Sequence, residues 1–171
     1  MPRPPNPLRK EPLRRALDRT DRVLLDALQK DARLSNKELA ALADLAPSSC
    51  LERVRRLERD GAVQGYHAEL DAGQLGLGLQ AMIGVQLRLH VRESFESFGD
   101  HLRNLPEARG VWQLAGSTDF LVHVVCRDTA HLHALTVEAF TRRPEVSRIE
   151  TSLVFSYART FLPIDLDVGA G

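Results

Sequence analysis

The sequence predicts an α+β protein in which a three-helix (winged) helix-turn-helix domain precedes a βαββαβ domain of the ferredoxin-like type. Two patterns support this prediction. Three short helical segments follow one another within about 45 residues, with a tight turn between the second and third. The later part of the chain alternates apolar and polar residues at the period of β-strands and contains two further helical segments. A length of 171 residues is enough for two small domains.

Charge is distributed unevenly along the chain. The 23 Lys and Arg residues balance 23 Asp and Glu, and a net charge of zero argues against a uniformly basic protein that coats nucleic acid or membrane. Residues 1–15, however, hold five basic residues and one acid, residues 16–60 hold nine of each, and residues 61–171 hold nine basic and 13 acidic residues. The sequence therefore combines a basic arm, a neutral domain and an acidic domain.

Five segments are predicted from these changes in composition. The five prolines before residue 13 predict a disordered arm, and the glycines between Asp71 and Gly78 predict a linker. The segments are an arm at 1–15, a helix-turn-helix domain at 16–65, a linker at 66–78, a βαββαβ domain at 79–156 and a C-terminal extension at 157–171.

No segment predicts export or membrane insertion. The first residues lack the apolar run of a secretory signal, and the most apolar stretch, Leu75–Leu89, is interrupted by glycines and Arg88. Two cysteines, Cys50 and Cys126, are too few for a disulfide framework. We therefore expect a cytoplasmic, reduced protein with no membrane partner.

Each predicted helix of the first domain has a recognisable beginning. Asp18 can cap the first helix, Ser35-x-x-Glu38 can form a capping box for the second, and Pro47 fits the first turn of the third. Gly61 supplies the left-handed residue that ends the third helix. The apolar positions predicted to face the core are Val23, Leu24, Ala27 and Leu28 in the first helix, Leu39, Leu42 and Ala43 in the second, and Cys50, Val54 and Leu57, with Leu51 beside them, in the third.

The third helix, predicted over Ser48–Asp60, has hydroxyl and guanidinium side chains away from this stripe. A rotation of about 100° per residue predicts that one side carries Ser49, Glu52, Arg53, Arg56 and Arg59, with Arg55 beside them. Short donors followed by guanidiniums suit the major groove of DNA. The alternative is a solvated surface helix in which the arginines pair with Glu52, Glu58 and Asp60.

Six elements in the order β-α-β-β-α-β are predicted for the second domain. Their predicted bounds are Gln80–Val91, Ser94–Asn104, Val111–Ala115, Phe120–Cys126, Asp128–Thr141 and Val146–Phe155. The strands are apolar on both faces, while two helices can cover only one face of a four-stranded sheet. A second copy of the chain is the simplest cover for the other face, so we expect a homodimer, with Trp112 packing beside the interface.

No constellation of residues predicts catalysis, a metal or a cofactor. His131 and His133 are two residues apart on a helix, which points them to different faces and argues against a metal site. Cys50 and Cys126 are predicted to be core and strand-end residues rather than nucleophiles. No catalytic triad, carboxylate pair or phosphate-binding loop is found. We therefore expect neither enzymatic activity nor a bound metal or cofactor.

Three runs of the sequence resemble the Lrp/AsnC family of leucine-responsive, feast–famine transcription regulators. They are LDRTDRVLLDALQKDARLSNKELA, LAPSSCLERVRRLERDGAVQGYHAELD and VWQLAGSTDFLVHVV. The resemblance spans residues 16–156 and implies a DNA-binding helix-turn-helix domain followed by an effector-binding and oligomerisation domain. It also implies dimers formed through the sheets, which in the family often assemble into octamers.

For the first domain, the resemblance implies a recognition helix that binds double-stranded DNA through Ser48, Ser49, Arg53, Arg55 and Arg56. Gly61 and Gly65-Tyr66 match the family's G-x-I-x-G-Y stretch, with Val63 in place of Ile. Ala46 stands where the family usually has Ser, and alanine is the poorer N-cap by about 1 kcal/mol.

For the second domain, the resemblance implies a small amino-acid-like effector bound at the G-x-x-D segment Gly116, Ser117, Thr118 and Asp119, together with Thr151. Backbone N–H groups in such a turn can hold a carboxylate, and Asp119 can take the ammonium. The alternative is a purely structural turn, which favours Gly and Asp for backbone reasons.

These observations predict a sequence-specific DNA-binding transcriptional regulator, cytoplasmic and nucleoid-associated, whose DNA binding or assembly responds to the effector. Two alternatives stay open. One is an effector-independent protein that organises DNA, and the other is a ligand-sensing module that acts on an enzyme partner.

Overall fold

The computed structural model describes residues 16–89, 91–158 and 160–161. Residues 16–68 and 69–158 form two compact units, and the division falls inside the predicted linker. The predicted arm at 1–15 and most of the predicted extension at 157–171 lie outside the described residues. Within the described part of the chain, no helix is long and apolar enough to cross a membrane.

The first unit contains the three predicted helices, α1 (Arg19–Lys30), α2 (Asn36–Leu42) and α3 (Pro47–Arg59). Asp18 caps α1 and Ser35 caps α2, and in both cases the acid three residues later accepts from the backbone N–H of the cap. These capping boxes satisfy N–H groups that have no partner inside the helix. Ala46, at the corresponding position of α3, makes no side-chain cap.

A short turn joins α2 to α3. Asp44 adopts a left-handed conformation there, with a φ of 53°. The side chain of Asn36 donates to the carbonyl of Pro47 at 2.8 Å and so links the beginnings of the two helices. Gly61, with a φ of 78°, ends α3 as predicted. The described residues from 62 to 78 form turns and extended chain, so they build no β-hairpin wing.

The apolar faces of the three helices enclose one small core. Its buried members are Leu24, Leu28, Leu39, Ala40, Cys50 and Leu57. The predicted inward positions of Leu42 and Leu51 are wrong, since their side chains are 58% and 39% exposed. The helix ends at Leu42, and Ala40 takes the inward position on α2 instead.

The second unit has the predicted βαββαβ order. Its elements are β1 (Leu79–Leu87), α4 (Arg92–Arg103), β2 (Ala108–Gln113), β3 (Phe120–Cys126), α5 (Thr129–Leu135), which continues as a π-helix over Thr136–Thr141, and β4 (Val146–Leu153). The strands form an antiparallel sheet in the order β2-β3-β1-β4. The predicted end of this strand at Val91 is wrong, because β1 ends at Leu87 and leaves Leu89 exposed beyond it.

The two faces of the sheet differ in their cover. One face packs under the helices, against the fully buried Phe98 and Phe140. Residues paired directly across an antiparallel sheet point to the same face. Met82 pairs with His123 and with Ser152, so these three side chains lie on the second face, away from the helices. We call it the open face, and it carries Met82, Gly84, Gln86, Trp112, Leu121, His123, Arg148, Glu150 and Ser152.

Candidate functional site

An ion-pair network joins the beginning of α1 to the middle of α3. The Arg53 guanidinium lies 2.6 Å from the carboxylate of Asp18 and 2.9 Å from that of Asp21, and the Arg56 guanidinium lies 2.5 Å from Asp21. Asp21 is only 1% exposed. The hydrogen bond from Arg53, and then that from the backbone N–H of Asp21, lower the pKa of Asp18. Charged groups, as well as the apolar core, therefore hold α3 against α1.

The prediction that Arg53 and Arg56 face DNA stays a prediction, and the structure adds that both side chains pair with acids of α1. At about 100° per residue, Arg53 is only about 40° from Leu57 around the helix axis. It therefore lies at the edge of the core stripe, where its side chain reaches the carboxylates of α1. Both guanidiniums are engaged inside the unit, where their ion pairs with Asp21 join α3 to α1.

The side of α3 that points away from the core is polar and exposed. We call it the outer face, and it consists of Ser48, Ser49, Glu52, Arg55 and Arg59. Within the described part of the chain, none of these side chains forms a hydrogen bond or ion pair with another residue. Of the residues predicted to bind DNA, Ser48, Ser49 and Arg55 therefore lie together on an available surface.

The end of α3 is connected to the chain that follows it. The hydroxyl of Tyr66 donates to the carboxylate of Glu58 at 2.9 Å. Burial, together with this hydrogen bond to an anion, raises the pKa of Tyr66 to about 12. Because this hydrogen bond holds the Glu58 carboxylate, Glu58 differs from the side chains of the outer face, which have no such partner.

The turn before β3 contains a buried acidic residue, Asp119. Gly116 adopts a φ of 134°, a conformation that favours glycine. Asp119 is 5% exposed, and its carboxylate accepts a hydrogen bond from the N–H of Leu87 at 2.7 Å. This bond extends the connection between β1 and β3 past its last backbone pair, Val85 with Phe120. The carboxylate of Asp119 is thus a buried acceptor within the sheet, and its role as the ammonium ligand stays a prediction.

A cavity of about 550 Å³ lies on the open face beside this turn. Its volume is in the usual range for small-molecule sites. Arg148 and Glu150 of β4 contribute a cation and an anion to it, with Nη2 and Oε2 4.0 Å apart. The full lining is Met82, Gly84, Val85, Gln86, Leu114, Ser117, Thr118, Leu121, Arg148, Ile149, Glu150 and Ser152.

The cavity includes some of the predicted effector residues and not others. Ser117 and Thr118 line it, whereas Gly116, Asp119 and Thr151 do not. Thr151 pairs with the buried Ile83, so its side chain points to the helix-covered face of the sheet. Strand alternation instead places its neighbours, Glu150 and Ser152, on the cavity side.

Two parts of these sites are missed by the sequence predictions. In the ion-pair network, the two acids and the two arginines have the same spacing, Asp18-x-x-Asp21 and Arg53-x-x-Arg56. This matched spacing is the sequence signal that could have predicted the network. For the cavity, the signal is the polar alternation along β4 from Arg148 to Ser152.

His131 pairs with an acid, and both cysteines are buried. His131 Nε2 lies 3.0 Å from Oε1 of Glu107, while His133 is exposed. In the described ranges, no three His, Cys, Asp or Glu side chains are grouped so that they could hold a metal ion. Cys50 and Cys126 are buried, and burial raises the pKa of both thiols.

Two family models match separate parts of the chain. A model described as winged helix-turn-helix DNA-binding matches residues 17–64. A model described as the Lrp/AsnC ligand binding domain matches residues 80–160. The two matches correspond to the unit that contains α3 and to the unit that contains the cavity.

Individual proteins are similar over most of the chain. The HTH-type transcriptional regulator AldR of Mycolicibacterium smegmatis is 42% identical over 150 residues, which are 88% of each chain. The leucine-responsive regulatory protein of Escherichia coli is 38% identical over 138 residues, 81% of this chain and 84% of that protein. A transcriptional regulator from Neisseria meningitidis, solved as a complex with L-Met, has a TM-score of 0.81 and 32% identity, covering 88% of this chain and 98% of that one.

Proposed function

The chain belongs to the Lrp/AsnC family of transcriptional regulators, and from this premise we propose that it binds specific DNA sequences in response to a small amino-acid-like effector. The first unit is the DNA-binding helix-turn-helix domain, and the second is the ligand-binding domain. The observation that carries the proposal furthest is the outer face of α3, whose polar side chains are exposed and unpaired in the described part of the chain. The proposed role involves no chemical transformation, metal or cofactor.

We propose that Ser48, Ser49 and Arg55 contact the DNA. Ala46 leaves the first N–H groups of α3 without a side-chain cap, and such groups suit a phosphate oxygen. The hydroxyls can add bonds to the same backbone, and Arg55 can reach a phosphate or the edge of a guanine. Arg53 and Arg56 support this contact indirectly, since they hold α3 against α1.

A mobility-shift titration with DNA from the chain's own promoter region tests this interface. Arg55→Ala should weaken binding and lower the salt dependence by about one released ion. Arg92→Ala is the matched control, because it removes the same charge from an exposed pair with Glu96 on α4. If Arg55→Ala binds as tightly as the control, the outer face of α3 is not the DNA-contacting surface.

The cavity on the open face suits an α-amino acid with an apolar side chain. Arg148 can pair with the carboxylate of such a ligand and Glu150 with its ammonium. Met82, Leu114 and Leu121 offer an apolar wall for the side chain. The L-Met complex of the Neisseria meningitidis regulator supports this ligand class by analogy.

A thermal-shift screen with the proteinogenic amino acids tests the effector site, because a ligand that binds the folded state raises the melting temperature. The amino acid that raises it should lose its effect in Arg148→Ala. Arg142→Ala, which removes an exposed arginine paired with Glu138, should respond like the wild type. If no amino acid raises the melting temperature, the effector-independent, DNA-organising alternative is favoured.

We also propose that a second copy of the chain covers the open face. Trp112 on this face is 47% exposed, and its ring lies so close to Gly110 that a Cβ there would come within 2.6 Å of Cη2. Exposed tryptophans on a partly apolar face are frequent anchors of interfaces. An effector in a cavity on the same face would contact both copies, which would couple its binding to assembly.

Light scattering coupled to size-exclusion chromatography tests the assembly. We expect a dimer that assembles further, to an octamer, and Trp112→Ala should shift the population toward the monomer. Leu42→Ala is the control, because it removes a similarly exposed apolar side chain from the first unit.

The proposed location is the cytoplasm, in association with the nucleoid, which fluorescence microscopy of a tagged chain can test.

A further inference from the structure

Glu52 is the one acidic residue of the outer face of α3. On an ordinary helix it would pair with Arg56, four residues later. Here the Arg56 guanidinium is held by Asp21 at 2.5 Å, and the Glu52 side chain forms no bond with another described residue. The ion-pair network thus leaves a carboxylate that makes no ion pair with another described residue in the middle of the surface proposed to meet DNA.

A carboxylate at this position is unfavourable for DNA binding in general. The duplex carries about one phosphate charge per 1.7 Å of its axis, and these charges repel Glu52 whatever the base sequence. A hydrogen bond from a base can offset the repulsion. In the major groove, the N4 amino group of cytosine is the donor from which acidic side chains accept.

We propose that Glu52 determines sequence specificity by accepting a hydrogen bond from the N4 amino group of a cytosine. The inference rests on the proposed DNA-binding function of α3. Glu52 then acts by selection, because its charge weakens binding to every sequence and the cytosine contact restores binding to the matching one. Ser48, Ser49 and Arg55 supply the attraction that both kinds of sequence share.

Selection of bound duplexes from a randomised pool tests the proposal with the full chain. The wild type should enrich a motif with cytosine at one fixed position. Glu52→Ala should lose at least about fivefold of that preference, the lower end of the usual effect of one mismatched base pair. Glu52→Gln keeps an acceptor oxygen and loses the charge, so it should keep a cytosine preference while binding all sequences more tightly. Glu58→Gln is the matched control on the same helix, because Tyr66 holds its carboxylate away from the outer face.

A change in the DNA isolates the atom concerned. In the selected duplex, 2-pyrimidinone replaces the cytosine, which removes the N4 amino group and keeps the ring. The wild type should bind this duplex at least about fivefold more weakly than the original. Glu52→Ala should bind the two duplexes equally.

The outcomes separate this inference from the function on which it rests. If Glu52→Ala keeps the wild-type motif and binds all sequences more tightly, Glu52 is only a repulsive charge, and the inference is wrong while the DNA-binding function stands. If the wild type selects no motif, the proposed function fails and the inference fails with it. Thermal melting followed by circular dichroism establishes that each variant compared is folded.

Discussion

The guanidinium of Arg56 lies 2.5 Å from the carboxylate of Asp21, a side chain that is almost completely buried. Arg53, one turn earlier on α3, contacts the same carboxylate. Replacing both arginines leaves the buried carboxylate of Asp21 without a cationic partner, with only the backbone N–H of Asp18 donating to it. We therefore expect Arg53→Ala/Arg56→Ala to lower the free energy of unfolding by about 3–5 kcal/mol, measured by urea denaturation.

Replacing Asp21 should lower the free energy of unfolding less than replacing the two arginines. In Asp21→Asn the two arginines, whose side chains are 29% and 24% exposed, can turn toward solvent, and we expect a loss of about 2 kcal/mol. Arg55→Ala, on the outer face, should stay within about 0.5 kcal/mol of the wild type. A double arginine variant as stable as Arg55→Ala would show that the network does not hold α3.

Acid should weaken the same network through Asp18. The hydrogen bond from Arg53 lowers the pKa of Asp18 below its ordinary value of 3.8, so the folded state binds this proton less readily than the unfolded state. The stabilisation is complete above about pH 4 and is lost as the pH falls through the lowered value. Asp18→Asn keeps a capping side chain and should show a flatter decline of unfolding free energy below about pH 4. Parallel declines in the two proteins would contradict this assignment.

Gly84 allows the cavity to be filled without disturbing its strand. A Cβ at this position would meet Cγ2 of Thr118 at 3.5 Å and the backbone oxygen of Glu150 at 3.8 Å, which are ordinary contacts. Alanine is favoured over glycine inside a strand by about 0.5–1 kcal/mol, so Gly84→Ala should be at least as stable as the wild type. Its methyl group enters the cavity, and calorimetry should show weaker effector binding. Unchanged affinity would place the effector elsewhere.

The fold could be predicted largely because its signals act over short distances in sequence. The caps at Asp18 and Ser35 and the stop at Gly61 each depend on residues within one helical turn, and all three are confirmed. The end of β1 could not be predicted in the same way. The Leu87 N–H donates to the carboxylate of Asp119, which is 32 residues away, and no local sequence pattern predicts that hydrogen bond.

The sites were less predictable because they depend on which surfaces the tertiary structure covers. Helical periodicity places Arg53 at the edge of the core stripe, yet the acid that engages it, Asp21, is 32 residues distant. Strand alternation likewise places the side chains of Thr151 and Glu150 on opposite faces of the sheet. Which of the two faces the helices cover is decided by the whole domain, and a shift of one residue exchanges the faces.

The open face should make assembly sensitive to pH through His123. Its Nε2 lies 2.9 Å from Oε1 of Gln80, and its ring lies 6.4 Å from that of Tyr157. Burial, and then the charge of Arg109, lower the pKa of His123 below its ordinary value of 6.5. The folded chain therefore favours the neutral imidazole, whose stabilisation is complete above about pH 6.5 and is lost as the pH falls through the lowered value.

A second copy on the open face would bury His123 further and so disfavour its charged form more strongly. We expect the dissociation constant of the dimer to rise as the pH falls from about 7 to about 5, measured by sedimentation equilibrium. His123→Gln keeps a polar group beside Gln80 and does not titrate, so its dimer should respond much less to pH. His133→Gln, at an exposed position of α5, should respond like the wild type. A wild-type dimer equally stable at both pH values would argue that the open face is not the surface that the two copies share.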